Sequence, residues 1–337
     1  MMEKEIFFTI VMPTYNSERT IEKALKSIRD QKFDQNQIEI LVIDGGSTDR
    51  TIEIAERFGA VIIPNEERVP EAAKRLGYQY AKGTWIIKQD SDEVYVTDSQ
   101  LMRKKRFIEK NPDVYCLLSD KLLAGKKCGI SCAYLNYCGD PFSYIVYNLR
   151  GSIVSQNKRY LLRKSKYGNV YRYQKGDPYP IGDGGCTAFH IKKYREWFKE
   201  RYDSQEYANL STQKIIDQTG LAGCIPNDNI YHYSKSDLKT YLRKVRFKIH
   251  FNLNGTNALG YAAKAECDTS YSRRKWVFVL YALSIVFPAV DAVRMAWHNK
   301  DCSFFLHFIY TYYVLIVTAV EVFRKVFKKD KGNYSYG

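Results

Sequence analysis

Strands alternating with helices through the first hundred residues predict an α/β fold on a mixed, mostly parallel sheet flanked by helices. Three observations carry this expectation. Short apolar runs at 5–13, Ile38–Asp44, 60–63 and 85–89 have the length and β-rich content of buried strands. Segments with apolar residues at helical spacing lie between them, and each long run ends in a polar turn. Such alternation favours right-handed βαβ units, whose strands pair in parallel.

Each element has its own signal. Residues 5–13 run into Pro13-Thr14-Tyr15-Asn16, so a strand meets a loop at Pro13. Between 17 and 30, Ile21, Ala24, Leu25 and Ile28 recur on one helical face. The second strand is closed by Asp44-Gly45-Gly46-Ser47-Thr48-Asp49, and Ile52, Ala55 and Phe58 mark a helix stopped at Gly59. A short strand follows at 60–63. Pro70 suits the first turn of a helix running to about Ala81, with Gly83 behind it. The strand at 85–89 then delivers Asp90-Ser91-Asp92.

Ligands of such sheets bind beyond the carboxyl ends of the strands. Asn16, Asp44 and the Asp90/Asp92 pair all fall there, which points to one polar site. Two carboxylates one residue apart suit a hard divalent cation, Mg²⁺ or Mn²⁺, which takes oxygen ligands and shares them with substrate phosphates. Singly, Asp90-Ser91-Asp92 reads as a solvated loop and Asp44 as a turn-forming residue before Gly-Gly. Together they read as a site.

Three stretches in order resemble the inverting family 2 glycosyltransferases of the GT-A fold. They are Ile10-Val11-Met12-Pro13-Thr14-Tyr15-Asn16, then Leu41-Val42-Ile43-Asp44-Gly45-Gly46-Ser47-Thr48-Asp49-Arg50-Thr51, then Ala81-Lys82-Gly83-Thr84-Trp85-Ile86-Ile87-Lys88-Gln89-Asp90-Ser91-Asp92-Glu93. The resemblance implies a nucleotide-sugar donor, UDP-linked, bound by Pro13, Thr14, Tyr15, Asn16, Asp44, Gly46 and Asp90. It implies Asp90 and Asp92 at the metal. Ala73-Lys74-Arg75 departs from the family's Ala-Arg-Asn, and Lys74 keeps a cation near the nucleotide.

The acceptor half, 113–235, offers fewer signals after the nucleotide half at 1–112. Residues 113–119 read as a strand and 121–163 as irregular. Cys128, Cys132 and Cys138 lack the paired spacing of zinc ligands. Eight cysteines without a signal peptide fit a reducing cytoplasm. Gly182-Asp183-Gly184-Gly185-Cys186 resembles the family's Gly-rich turn near the acceptor. An inverting transfer to a hydroxyl needs a general base. The family supplies it from a Glu-Asp pair on a helix ending in Gly; here Glu206 matches, Tyr207 replaces the Asp, and the stretch runs to Gly220. Three readings stand. The base is Glu206, Asp203 or Asp183; the acceptor is a lipid phosphate that needs no strong base; or the chain has lost catalysis. His232, after the last strand, is read either as a ligand of the metal or diphosphate or as a core histidine.

Residues 236–252 place Leu238, Tyr241, Leu242, Val245 and Ile249 on one helical stripe, ringed by Lys239, Arg243, Lys244, Arg246 and Lys248. That pattern suits an anionic membrane surface or a helix packed on the domain. Apolar stretches at 276–290 and 304–323 follow, bracketed by Arg273-Arg274-Lys275 and by Arg324, Lys325, Lys328 and Lys329. The positive-inside rule puts both flanks in the cytoplasm, as a two-helix hairpin or as re-entrant segments. Lys and Arg outnumber Asp and Glu by 52 to 37, a net +15. No nucleic-acid-binding motif accompanies this charge, so anionic lipid, including a polyprenyl-linked acceptor, is the expected partner. The organisation expected is a catalytic domain at 1–235, membrane-associated helices at 236–327 and a polar tail at 328–337.

Overall fold

The computed structural model describes residues 5–174, 177, 185–202, 204, 207–208, 210–234, 237–254 and 271–327. The chain divides into two compact units. One takes Met1–Leu123, Ser152–Lys175 and Ile181–Tyr233, the other Ala124–Gly151, Gly176–Pro180 and Ser234–Gly337.

The first unit is built on a nine-stranded sheet in the order β3-β2-β1-β4-β10-β6-β11-β9-β8. Its strands are β1 (Phe8–Thr14), β2 (Ile38–Asp44), β3 (Val61–Pro64), β4 (Trp85–Lys88), β6 (Cys116–Leu118), β8 (Leu161–Ser165), β9 (Gly168–Arg172), β10 (Thr187–His190) and β11 (Leu221–Cys224). The four strands β3, β2, β1 and β4 run parallel, while β10 enters antiparallel between β4 and β6. Every residue of β2 is buried, as expected of a parallel strand covered on both faces. Ile10 and Met12 of β1 and Ile40 and Val42 of β2 join Ile21, Leu25 and Ile28 of helix α1 (Ile21–Arg29) in one core. Helices α2 (Thr51–Arg57) and α3 (Pro70–Tyr80) complete the βαβ repeat, and α4 is Gln100–Lys110.

Register positions the site. Thr14 stands opposite Asp44, and Val11 opposite Lys88, so the loops after β1, β2 and β4 open at one edge. A second sheet holds β5 (Glu93–Tyr95), β12 (Ile230–His232) and β7 (Leu122–Ala124), with Glu93 opposite His232. That pairing carries a histidine from late in the chain to the Asp90–Asp92 loop.

The early strands and helices fall where their patterns predict, within a few residues. The stretch 121–163, read as irregular, instead holds β7, the start of β8 and three short helices, α5 (Cys132–Cys138), α6 (Pro141–Val146) and α7 (Ile153–Gln156). Helices of four to seven residues are too short to show a period. One left a local signal: the Asp140 side chain accepts from the Ser143 amide at 2.8 Å, with Pro141 in the first turn. Helices α8 (Ile191–Phe198) and α9 (Ser211–Thr219) follow β10, and Gly220 ends α9 in the left-handed conformation.

In the second unit the middle of the amphipathic stripe is covered by protein, while Leu238 at its start is exposed. Tyr241, Val245 and Ile249 of α10 (Leu238–Asn254) are buried, while Lys239, Arg243 and Arg246 remain exposed. The first apolar stretch is not one helix. It breaks into α11 (Tyr271–Leu283) and α12 (Val286–Asn299), bent by 93°. The second forms α13 (Leu306–Phe327), within the one described helix, Cys302–Phe327, long and apolar enough to cross a membrane.

Gly77 shows how closely α3 lies on the sheet, because a Cβ there would sit 2.2 Å from Val11 Cγ1. Gly77→Ala is expected to destabilise the protein by about 1–3 kcal/mol through overpacking, read from the denaturant midpoint at unchanged slope.

Candidate active site

The loop after β2 is shaped by its own carboxylate. Asp44 Oδ2 accepts the amides of Gly46 and Ser47 at 2.9 and 2.8 Å, and Oδ1 accepts the Thr14 hydroxyl at 3.2 Å. Gly46 has φ +87°, a conformation that favours glycine. Asn16, at φ +47°, ties the first loop to the second: its side chain accepts the Thr48 amide at 2.9 Å, and its own amide donates to Ser47 Oγ at 2.9 Å. Pro13 and Thr14 lie inside β1, and the Tyr15 ring is 59% exposed beyond its end. Thus Pro13, Thr14, Tyr15, Asn16, Asp44 and Gly46 form one continuous rim.

Beside it lies a crowd of acidic groups. Asp92 is 3.3 Å from His232 Nε2, and its carbonyl accepts the Tyr233 amide at 2.8 Å. The side chain of Glu93 is buried and takes three backbone amides, from Gly185 (2.6 Å), Asp90 (3.1 Å) and Cys186 (3.3 Å). It fastens the Asp90–Asp92 loop to the segment leading into β10. The Asp90 side chain is exposed to solvent even though protein groups crowd around it. Desolvation and the neighbouring Asp92 carboxylate raise the Asp90 pKa, against the opposing pull of Lys74, His232 and Lys88. Burial and Asp90 push Glu93 up to about 8. Burial opposes the charged form of His232, but the Asp92 hydrogen bond and the surrounding carboxylates outweigh it and raise its pKa. Lys74 thus acts on the acidic cluster from α3.

Crowded carboxylates with raised pKa values mark a place where a cation would be favourable. Among the described residues no three His, Cys, Asp or Glu side chains group so as to hold a metal ion. Asp90 and Asp92 alone supply carboxylate oxygens of the kind Mg²⁺ and Mn²⁺ take, so most of the shell of a cation there would have to come from water and phosphate oxygens.

Asp183, Asp203 and Glu206 lie outside the described residues. Their flanks are held firmly. Tyr194 and Tyr78 hydroxyls donate to the carbonyls of Tyr207 and Ala208 at 2.8 and 3.2 Å. Lys88 Nζ donates to Ser211 Oγ and Thr212 Oγ1 at 3.2 and 3.3 Å, which brings the start of α9 to β4, the strand that leads into Asp90.

Residues 9–121 match the family profile described as Glycosyl transferase family 2. The match spans the parallel half of the sheet and all three loops, and supports a family 2 glycosyltransferase domain there. Poly(ribitol-phosphate) beta-N-acetylglucosaminyltransferase TarS of Staphylococcus aureus is 27% identical over 125 residues, 35% of this chain and 22% of that protein. A Methanococcus voltae protein, named as a dolichyl N-acetyl-alpha-D-glucosaminyl phosphate 3-beta-D-2,3-diacetamido-2,3-dideoxy-beta-D-glucuronosyltransferase, is 32% identical over 88 residues, covering 24% of this chain and 27% of its own. The chain therefore spans about a quarter of these relatives. Its fold is similar to that of the mannosyltransferase PcManGT from Pyrobaculum calidifontis, solved with GDP-Man and Mn²⁺, at TM-score 0.56 and 15% identity over 96% of this chain and 88% of that one.

Three contributors were not singled out from sequence. Glu93 was quoted only as the end of a motif, yet it clamps the loop. Lys88 reads as a strand residue, although a lysine in an apolar strand is itself a signal. Arg68, at φ +56°, lies with its guanidinium over Gly46, where only tertiary folding takes it.

Glu93 and His232 both hold a proton more tightly folded than unfolded, so each makes stability fall as pH rises. For Glu93 the window runs from its ordinary 4.5 to about 8. In EDTA, Glu93→Gln is expected to gain melting temperature relative to wild type as pH rises through this window. A difference that stays constant across it would refute the assignment.

Proposed function

We propose that the protein is a metal-dependent inverting glycosyltransferase that moves a sugar from a nucleotide-sugar donor to a lipid-linked acceptor at a cytoplasmic membrane face. The observation that carries this reading is the Asp90–Asp92–His232 cluster beside the Asp44 loop. Thr14, Asn16 and Asp44 seat the nucleoside on the rim, with Tyr15 and Arg68 at its edge. Asp90, Asp92 and His232 hold Mn²⁺ or Mg²⁺, which when bound neutralises the diphosphate and assists its departure. Lys74 adds a cation on the same side. Glu93 keeps the two aspartates in register with the acceptor-side segment. The proton of an acceptor hydroxyl goes to Glu206, Asp203 or Asp183.

The donor is a UDP-sugar in this reading. The complexes and names of similar proteins support the class: GDP-mannose and Mn²⁺ in the archaeal mannosyltransferase, and a dolichyl-linked acceptor in the name of the Methanococcus relative. Tyr207, standing where the resemblance puts the base, favours one second reading. An anionic lipid phosphate as acceptor needs no strong base, which would make the protein a polyprenyl-phosphate sugar synthase.

Detergent-purified protein with Mn²⁺, radiolabelled nucleotide sugars and a membrane lipid extract is expected to move label from one donor into the organic phase. Acid lability and charge of the product separate the two acceptors. Donor binding without transfer over a broad acceptor panel would instead support a non-catalytic binding protein. Asp92→Asn is expected to abolish Mn²⁺-dependent donor binding with the circular dichroism spectrum unchanged. Retained metal-dependent binding in that variant would remove the proposed role of Asp92.

A further inference from the structure

The second unit exposes an apolar surface that continues around a helical elbow. On α11, Trp276, Val277, Leu280 and Leu283 are each more than half exposed. Ile285, Val286 and Phe287 at the elbow, and Val290, Val293 and Trp297 on α12, are exposed to the same degree. The elbow is the most continuous part of this surface, since all but Ser284 in 283–287 lie open.

We infer that α11 and α12 form a re-entrant wedge that enters one leaflet of an anionic bilayer from the cytoplasmic face and returns to it, without crossing. This deepens the proposed function and rests on its membrane placement.

Length sets the depth. The arms have 13 and 14 residues and a 93° bend. Arms of that length at 1.5 Å per residue reach roughly 14 Å from base to elbow, about one leaflet of a ~30 Å hydrocarbon core.

Several backbone polar groups at the elbow are satisfied within the turn, which lowers the cost of placing it in a leaflet. The Ser284 amide donates to the Leu280 carbonyl at 3.1 Å, and the Val286 amide to the Ser284 carbonyl at 2.5 Å. Ser284 Oγ donates to the Tyr281 carbonyl at 2.7 Å and accepts the Phe287 amide at 3.3 Å. Ile285 is held at φ +58°, which is strained for a β-branched residue.

The two bases match an interface. Lys275 and Trp276 lie one turn into the first arm, and Arg294, Trp297 and Lys300 span the last turns of the second and its C-cap. Tryptophan with cationic neighbours at both ends suits headgroups and acidic lipid rather than the apolar face of another protein.

Packing of α13 argues against the two-span hairpin. The Tyr313 hydroxyl donates to the Leu242 carbonyl at 3.0 Å, His250 Nδ1 and Glu321 Oε2 are 2.9 Å apart, and Lys325 Nζ donates to the Leu253 carbonyl. Helix α10 therefore lies along the C-terminal half of α13. Its exposed Lys239, Arg243 and Arg246 could not follow α13 into hydrocarbon at tolerable cost.

Cys302, exposed just past α12, is a native reporter. In sealed everted vesicles from cells producing the full chain, a membrane-impermeant maleimide should label Cys302 equally with and without detergent. The Cys302→Ser variant identifies that label. Labelling only after detergent would establish a crossing and overturn the wedge. Separately, Phe287→Asp at this 62%-exposed position should lower flotation with phosphatidylcholine–phosphatidylglycerol vesicles about tenfold or more, with circular dichroism unchanged. Unchanged flotation, or loss of a dimer with flotation unchanged, would refute lipid as the occupant. Neither readout involves donor or transfer, so failure here leaves the proposed enzymatic function to its own test.

Discussion

Charge repulsion among Asp90, Asp92 and Glu93 is the constraint around which the first unit is arranged. Three carboxylates within four residues do not sit together at the end of a buried strand unless other groups hold them. The hydrogen-bond pattern of Glu93 supplies one hold, with three backbone amides converging on one side chain. His232 supplies another, brought across from β12 by its pairing with β5. Lys74 and Lys88 act from α3 and β4. The crowding is still felt as the raised pKa values of Asp90 and Glu93, and a divalent cation there would relieve it.

The neighbouring loops are themselves internally bonded. Asp44 commits its oxygens to Gly46, Ser47 and Thr14, and Asn16 bonds both ways to the second loop. A rim already satisfied in this way would lose little entropy on taking up a ligand. The residues expected from sequence to be donor contacts act as the scaffold of their own loops, so the structure bears out the turn-forming reading of Asp44.

The second unit follows a different rule. Its amphipathic helix α10 covers the middle of its apolar stripe with protein and leaves the basic side outward, while α11 and α12 leave apolar side chains open. Inside, the Tyr281 hydroxyl lies hydrogen-bonded between Asp291 and His307. Such a unit is apolar on one surface by composition and not for want of a core.

By itself the sequence determined the parallel half of the sheet, the three polar loops and the basic, apolar character of the C-terminal third. These are local properties, in which periodicity, a proline at a helix start or a carboxylate at a strand end acts within a few residues. Tertiary structure alone decided that Glu93 would clamp two loops, that Arg68 would lie over Gly46, that the stripe of α10 would turn inward, and that one apolar stretch would fold at Ser284–Ile285. Those outcomes depend on which distant segment arrives as neighbour. Glu93 meets Gly185 across 92 positions, and α10 meets α13 across 71, and no local pattern encodes such meetings.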